Sequence, residues 1–139
     1  MPVLLFLVGG RRCALPVAGL RGVVMPRPVD GAAGADGGAV LGVVRDGGAV
    51  VPVVDLRRWL DASAPPSPAP RPRWIVVQRG PHRVALAVDG VERVAAASAS
   101  ADAPGVERPR VARYLAVAGA LCAEPDVDAI VALVAGRGA

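Results

Sequence analysis

The chain has 139 residues, which is one domain's worth and enough for one modest core or two small ones. It holds 27 Ala, 25 Val, 17 Gly, 14 Pro and 16 Arg, but no Lys, Thr or Asn, one His, one Tyr and two Cys. So few polar side chains disfavour most enzyme classes and leave no material for a His/Cys metal site. The net charge of +4 is spread over Arg residues interleaved with acids.

Met1–Gly10 is apolar, but Arg11-Arg12 follows it and no basic leader precedes it, the reverse of a secretory signal. No run of 18 apolar residues exists, so no spanning helix and no membrane insertion are expected. Val3–Val8, Gly9-Gly10 and Cys13–Val17 read as a first hairpin. Val17–Val24 reads as one or two helical turns. Asp30–Gly38 is a low-complexity loop. Val40–Val44 and Val50–Val54 flank Arg45-Asp46-Gly47-Gly48, a stronger hairpin signal than the first, because Asp-Gly tolerates positive φ. Asp55 then caps a helix over Leu56–Asp61.

Ala62–Pro72 is a proline-rich linker. Beyond it, Trp74–Val77 and Val84–Val88 make a third hairpin around Gly80-Pro81. Ala95–Pro104 is a second low-complexity loop. Leu115–Val117 and Ala120–Ala123 flank Gly119 as a fourth hairpin. Asp126 caps a last helix in which Val127, Ile130, Val131 and Val134 share one face. The apolar runs are continuous rather than alternating, so the strands are expected to be buried on both faces. The linker splits the chain into near-equal halves, which predicts two small barrels, the first over roughly 13–61 and the second over roughly 73–123.

Candidate chemical groups are sparse. His82 sits in a turn beside arginines and reads as an exposed surface side chain rather than a base. Asp126 and Asp128 mark a helix start with dipole compensation. Asp89 and Glu92 lie where Val88, Val91 and Val94 recur at spacing three, and are not read as an acid–base pair. Cys13 and Cys122 read as two buried small hydrophobes. No glycine cluster has the P-loop ending, and no cofactor is expected. Aromatic residues make up three per cent of the chain, too few for a base-stacking platform. What remains is apolar strand surface with arginine at the turns, the composition of a binding module. A small Arg-rich β-barrel that binds nucleic acid is the rival reading.

At Val40–Leu60 the residues carry a resemblance. VLGVVRDGGAVVPVVDLRRWL resembles the central hairpin of the CheW family, the chemotaxis coupling proteins. Gly42, Val43, Val44, Gly48, Pro52, Val53, Asp55, Leu56 and Arg57 match in register. Phe6 and Cys13–Pro16 match the family's first hairpin, Arg73–Val94 with Val88-Asp89 its second-half hairpin, and Val111–Leu133 its closing strands and helix. The resemblance implies a mainly β fold of two intertwined five-stranded barrels with short helices, the terminal segments crossing between them. It implies a cytoplasmic, non-catalytic adaptor that bridges the tips of methyl-accepting chemoreceptors to the regulatory domain of a CheA-type histidine kinase, with ring neighbours of the same fold. It places Leu20, Gly22, Val23 and Val76 in a receptor groove, with the Arg45–Gly48 turn beside it. Gly47 stands where the family has a receptor-contacting Arg, and Gly22 where it has Glu. Arg45 lies two residues earlier, displaced by about 6–7 Å if the strand extends that far. Ala123-Glu124-Pro125 interrupts a closing strand that is usually apolar in the family, which predicts an edge or an early stop.

Overall fold

The computed structural model describes residues 1–31, 38–65 and 71–137. Most of the expected Asp30–Gly38 loop (32–37) and the centre of the expected linker (66–70) lie outside the described residues. In chain order the elements are β1 (Pro2–Val8), β2 (Arg11–Pro16), β3 (Leu20–Val24), β4 (Val40–Asp46), β5 (Ala49–Asp55), α1 (Leu56–Leu60), β6 (Arg73–Arg79), β7 (His82–Val88), β8 (Gly90–Ala96), β9 (Ala99–Asp102), β10 (Val111–Val117), β11 (Ala120–Pro125) and α2 (Val127–Arg137). A 3-10 turn over Gly105–Glu107 precedes β10.

The fold is mainly β, in two sheets. One has the order β8-β1-β2-β11-β10-β9 and the other β3-β6-β7-β5-β4. Both draw strands from either side of the proline-rich segment, so the sheets do not follow the halves 13–61 and 73–123. The hydrogen-bonded orders are open, but the ends of each are tied. In the first sheet β8 and β9 are nearly one strand, bent at Ala97-Ser98. Ala97 N–H still donates to Met1 of the β1 side, and Ser98 N–H already donates to Ala116 of β10. In the second, Asp30 exchanges two backbone bonds with Val43 of β4 (2.8 and 2.7 Å), which brings the chain leaving β3 back to the far edge.

All four expected hairpins form. Two expectations are corrected. Val17–Val24 is not helical: Gly19 adopts φ +90, and β3 then pairs with β6. Glycine and β-branched valine favour that extended strand over a helical turn. Ala95–Pro104 is not all loop. Its backbone completes β8 and forms β9 against β10, although every β9 side chain is exposed.

Strand burial on both faces produces three apolar clusters. Along β1, Val3 and Leu5 face one way, and Leu4, Phe6 and Val8 the other. Along β6, Trp74 and Val76 face one way, and Ile75 and Val77 the other. Val3, Leu5, Ala14, Leu115, Val117 and Cys122 fill the inside of the first sheet. Val44, Val51, Val53, Trp74, Val76 and Ala85 fill the inside of the second. The largest cluster joins the sheets, from Leu4, Phe6 and Leu15 to Ile75, Leu86 and Val54. Helix α2 lays Val127, Ile130, Val131 and Val134 into that joint, at about 1.5–3 kcal/mol per fully buried aliphatic side chain. Its start is capped as expected, with Ala129 N–H donating to Asp126 Oδ1 at 3.0 Å. Proline ends β11 at Pro125, and the parallel β11–β2 register is confined to Ala123 opposite Cys13.

Candidate functional site

The β4–β5 hairpin runs directly into α1. Gly47 (φ +58) and Gly48 (φ +83) are the two central turn residues, both in the left-handed region that a two-residue hairpin with this twist requires. Gly42 has φ +145 at a bulge in β4, and a Cβ there would run into the Asp30 carbonyl oxygen. Pro52 lies opposite Val43, whose own N–H and C=O turn away to Asp30. The ladder to β7 begins only at Val53, so no donor is missed at residue 52. Asp55 ends β5 and accepts from Arg57 N–H at 3.0 Å, the N-cap expected of it. Burial pushes the Asp55 carboxyl above the ordinary aspartate range, against the pull of the backbone donors at Arg58 and Arg57. Beneath α1, Trp59 Nε1–H donates to the Arg110 carbonyl at 3.2 Å, and the Arg110 guanidinium stacks 4.6 Å from the ring centroid.

The expected groove residues occupy two faces of the second sheet. Leu20 is registered with Val77 and Val23 with Ile75, on the side of the inter-sheet cluster. Gly22 is registered with Val76, on the side of the sheet's own interior. Val76 is 6% exposed and Val23 41%, so Val23 is open to solvent and Val76 is a core residue. A small apolar mouth opens into that interior between Val24, Arg27, Val44, Asp46 and Trp74.

Arg45 does lie within β4, opposite Val50, and is exposed. Around it is a polar network that the sequence reading missed. The Arg27 Nη2 donates to the Arg45 carbonyl. Arg83 Nη1 donates to the Asp46 carbonyl and to its Oδ2, at 3.1 and 3.3 Å. Arg83 Nε and Arg21 Nη1 share Gln78 Oε1 at 3.3 and 3.4 Å. The Gln78–Arg83 contact was legible in principle, since those residues face each other across the β6–β7 hairpin. Arg21 and Arg27 carry no such signal.

The acids weighed as catalytic candidates each have a partner in the fold. Asp89 accepts from Gly9 N–H at 2.7 Å and ties the β1–β2 turn to the end of β7. Glu92 holds Arg12 through two bonds of 2.7 and 2.9 Å, and that pairing lowers the Glu92 carboxyl below its ordinary range. His82 is exposed. A second network missed by sequence joins Arg11, Tyr114 and Glu107: the Tyr114 hydroxyl lies 2.6 Å from Glu107 Oε1 and 2.5 Å from Arg11 Nη2. Both thiols are buried, and burial pushes Cys13 up to about 12. Among the described residues, no cluster of acids, His and Cys could hold a metal ion, and no helix is long and apolar enough to cross a membrane.

A model of the CheW-like domain matches residues 2–134, almost the whole chain. The chain belongs to the CheW-like family. Among solved structures, the scaffolding protein TtCheW from Thermoanaerobacter tengcongensis superposes with a TM-score of 0.77 at 17% sequence identity. The alignment covers 89% of this chain and 87% of that one. At that identity the likeness establishes the CheW-like fold alone. No curated protein sequence matches the chain. In this CheW-like chain Gly47 is a left-handed glycine at the β4–β5 turn, and Arg27 and Arg83 donate to the backbone carbonyls of Arg45 and Asp46 just before it.

Proposed function

We propose that this chain is a non-catalytic chemosensory adaptor, working in the cytoplasm between methyl-accepting receptor tips and the regulatory domain of a CheA-type histidine kinase. The observation that carries this reading is the CheW-like match over residues 2–134. The two-sheet fold supports it, because an adaptor of this kind needs two faces held rigidly together, and the inter-sheet cluster supplies that. The chemistry also supports it: of the acids weighed as catalytic, Asp126 caps a helix, Asp89 ties a turn, and Glu92 and Asp128 pair with arginines. Ring neighbours of the same fold belong to this proposal. Its receptor docking is altered, since Gly22 and Gly47 replace the family's charged pair. Helix-in-groove recognition can persist on apolar surface with polar residues fixing register.

A pull-down tests this with two baits, the regulatory domain of the kinase and a soluble receptor-tip hairpin from the same genome. Retention of either one is the expected outcome. Retention of neither rejects the adaptor role, and salt-sensitive retention of an oligonucleotide instead would favour the nucleic-acid reading.

A further inference from the structure

The end of α1 and the β1–β2 turn enclose a cleft of about 420 Å³. Small-molecule sites occupy roughly 300–1,000 Å³. None of the expected groove residues lines it. Its apolar walls come from Val8, Leu60, Ala64 and Pro65, of which Val8 and Ala64 are buried and Leu60 is half-buried. Arg11 lines it too, but is already paired with Glu107 and Tyr114. The unsatisfied charges are those of Arg57 and Asp61. Asp61 N–H donates to the Arg57 carbonyl at 3.0 Å, so the two stand one helical turn apart. That spacing would let the side chains pair inside a helix. Asp61 is instead the C-cap, turned out of the helix at φ −147, and no ion pair closes between them. The Arg57 Nε lies 3.7 Å from where a Gly9 Cβ would stand, which sets the side chain along the β1–β2 turn. Among the described residues its guanidinium forms no hydrogen bond or ion pair. Asp61 Oδ1 accepts from Ser63 N–H and Ser63 Oγ–H at 3.0 and 2.7 Å, and those bonds hold the carboxyl below its ordinary range. Both fall on one oxygen, so Oδ2 keeps its acceptor capacity. Ala64 N–H closes the turn on the Asp61 carbonyl at 2.9 Å.

We propose that this cleft binds a small apolar zwitterion of the free α-amino acid class. The ligand carboxylate takes the Arg57 guanidinium, its ammonium donates to Asp61 Oδ2, and its hydrocarbon side chain lies on Val8, Leu60, Ala64 and Pro65. Opposite charges that border one cleft without closing on each other are both completed by a ligand carrying both signs. A simple anion would face Asp61, and a simple cation would face Arg57. Arginine suits the carboxylate because its planar fork offers two parallel bonds. The turn that holds the Asp61 carboxylate is bonded in advance, so little ordering is left for binding to supply. The site is independent of the adaptor reading and uses none of the residues on which that reading's groove depends.

The test is an amide NMR titration of the full chain with L-leucine. Saturable shifts are expected at Gly9, Leu60, Asp61, Ser63 and Ala64, with a dissociation constant of about 1 mM, ordinary for so small a ligand in an open cleft. L-leucinamide lacks the carboxylate and N-acetyl-L-leucine lacks the ammonium. Each should bind the wild-type chain about tenfold more weakly, the scale of one charged hydrogen bond. In Arg57→Gln, leucine should lose its advantage over leucinamide. In Asp61→Asn, whose amide oxygen still accepts from Ser63, leucine should lose its advantage over N-acetyl-leucine. The melting temperatures of both variants should match wild type. The ligand comparisons use the wild-type chain, so they decide the matter even where a variant fails to fold. No saturable shift up to ~20 mM leucine overturns the proposal. Equal binding of the three ligands by the wild-type chain, or shifts confined to another part of the molecule, also overturns it. Each of those results leaves the adaptor reading standing, because that reading is scored by retention on the kinase domain and the receptor tip.

Discussion

Gly42→Ala is expected to destabilise the protein strongly. The glycine stands at φ +145, where an L side chain is strained, at a cost of about 1–3 kcal/mol. The added methyl group would also meet the Asp30 carbonyl oxygen, which accepts from Val43 N–H at 2.7 Å. Backbone cannot move there without loosening the two Asp30–Val43 bonds, each contributing about 0.5–1.5 kcal/mol. The total is about 2–6 kcal/mol. A chain of this size has an unfolding entropy of about 0.3 kcal/mol/K, so the midpoint should fall by ~7–20 °C. Gly22→Ala is the paired control, because a Cβ there meets nothing and glycine inside a strand costs roughly 0.5–1 kcal/mol relative to alanine. Thermal melts followed by circular dichroism should move in opposite directions for the two variants. A Gly42→Ala midpoint within ~2 °C of wild type would refute the close approach of β4 to Asp30.

Further outcomes follow from the same contacts. Trp59→Phe removes the donor to the Arg110 carbonyl and weakens the stacked guanidinium, and should cost about 1–2 kcal/mol in urea unfolding. Cys13, raised to about 12, should resist a thiol reagent at pH 8 in the native protein and react once the chain is unfolded; fast native labelling would contradict its burial. The Glu92 carboxyl, lowered chiefly by its hydrogen bond from Arg12, contributes stability above the ordinary glutamate range that is lost as pH falls through its lowered folded value. An NMR titration placing Glu92 at or above the ordinary value would remove that contribution. Gly47→Arg puts the arginine that the family resemblance implies at a left-handed position, costs about 1–2 kcal/mol of stability, and under the adaptor proposal should strengthen receptor-tip association; weaker association would count against a groove organised as the resemblance implies.

The parts of the fold that were legible are those in which local chemistry and tertiary structure agree. The Asp46-Gly47-Gly48 turn, Asp55 ahead of Leu56, and Asp126 ahead of Val127 each specify a backbone state within a few residues. Continuous valine runs announced burial on both faces, and β1, β6 and β7 show it. The β9 strand was illegible because Ala-Ser-Ala-Asp carries no apolar pattern, and backbone pairing with β10 alone makes it a strand. Val17–Val24 misled because its apolar residues fit a short helical turn as well as an edge strand, and only the free edge of β6 decides between them. The family resemblance brought Leu20, Gly22, Val23 and Val76 together as one groove, whereas strand register separates Val76 from Leu20 and Val23 by a sheet's thickness. The arginine network could not be read from spacing at all. Its members stand at positions 21, 27, 45 and 83, and only the β3-β6-β7-β5-β4 order gathers them.

The most direct measurement of the central claim is complex formation by the purified full chain with the kinase's regulatory domain and the receptor-tip hairpin together, followed by sedimentation. The adaptor account predicts a saturable complex in which this chain is required for the receptor tip and the kinase domain to travel as one species. Receptor tip and kinase domain sedimenting separately, with this chain bound to neither, would contradict it.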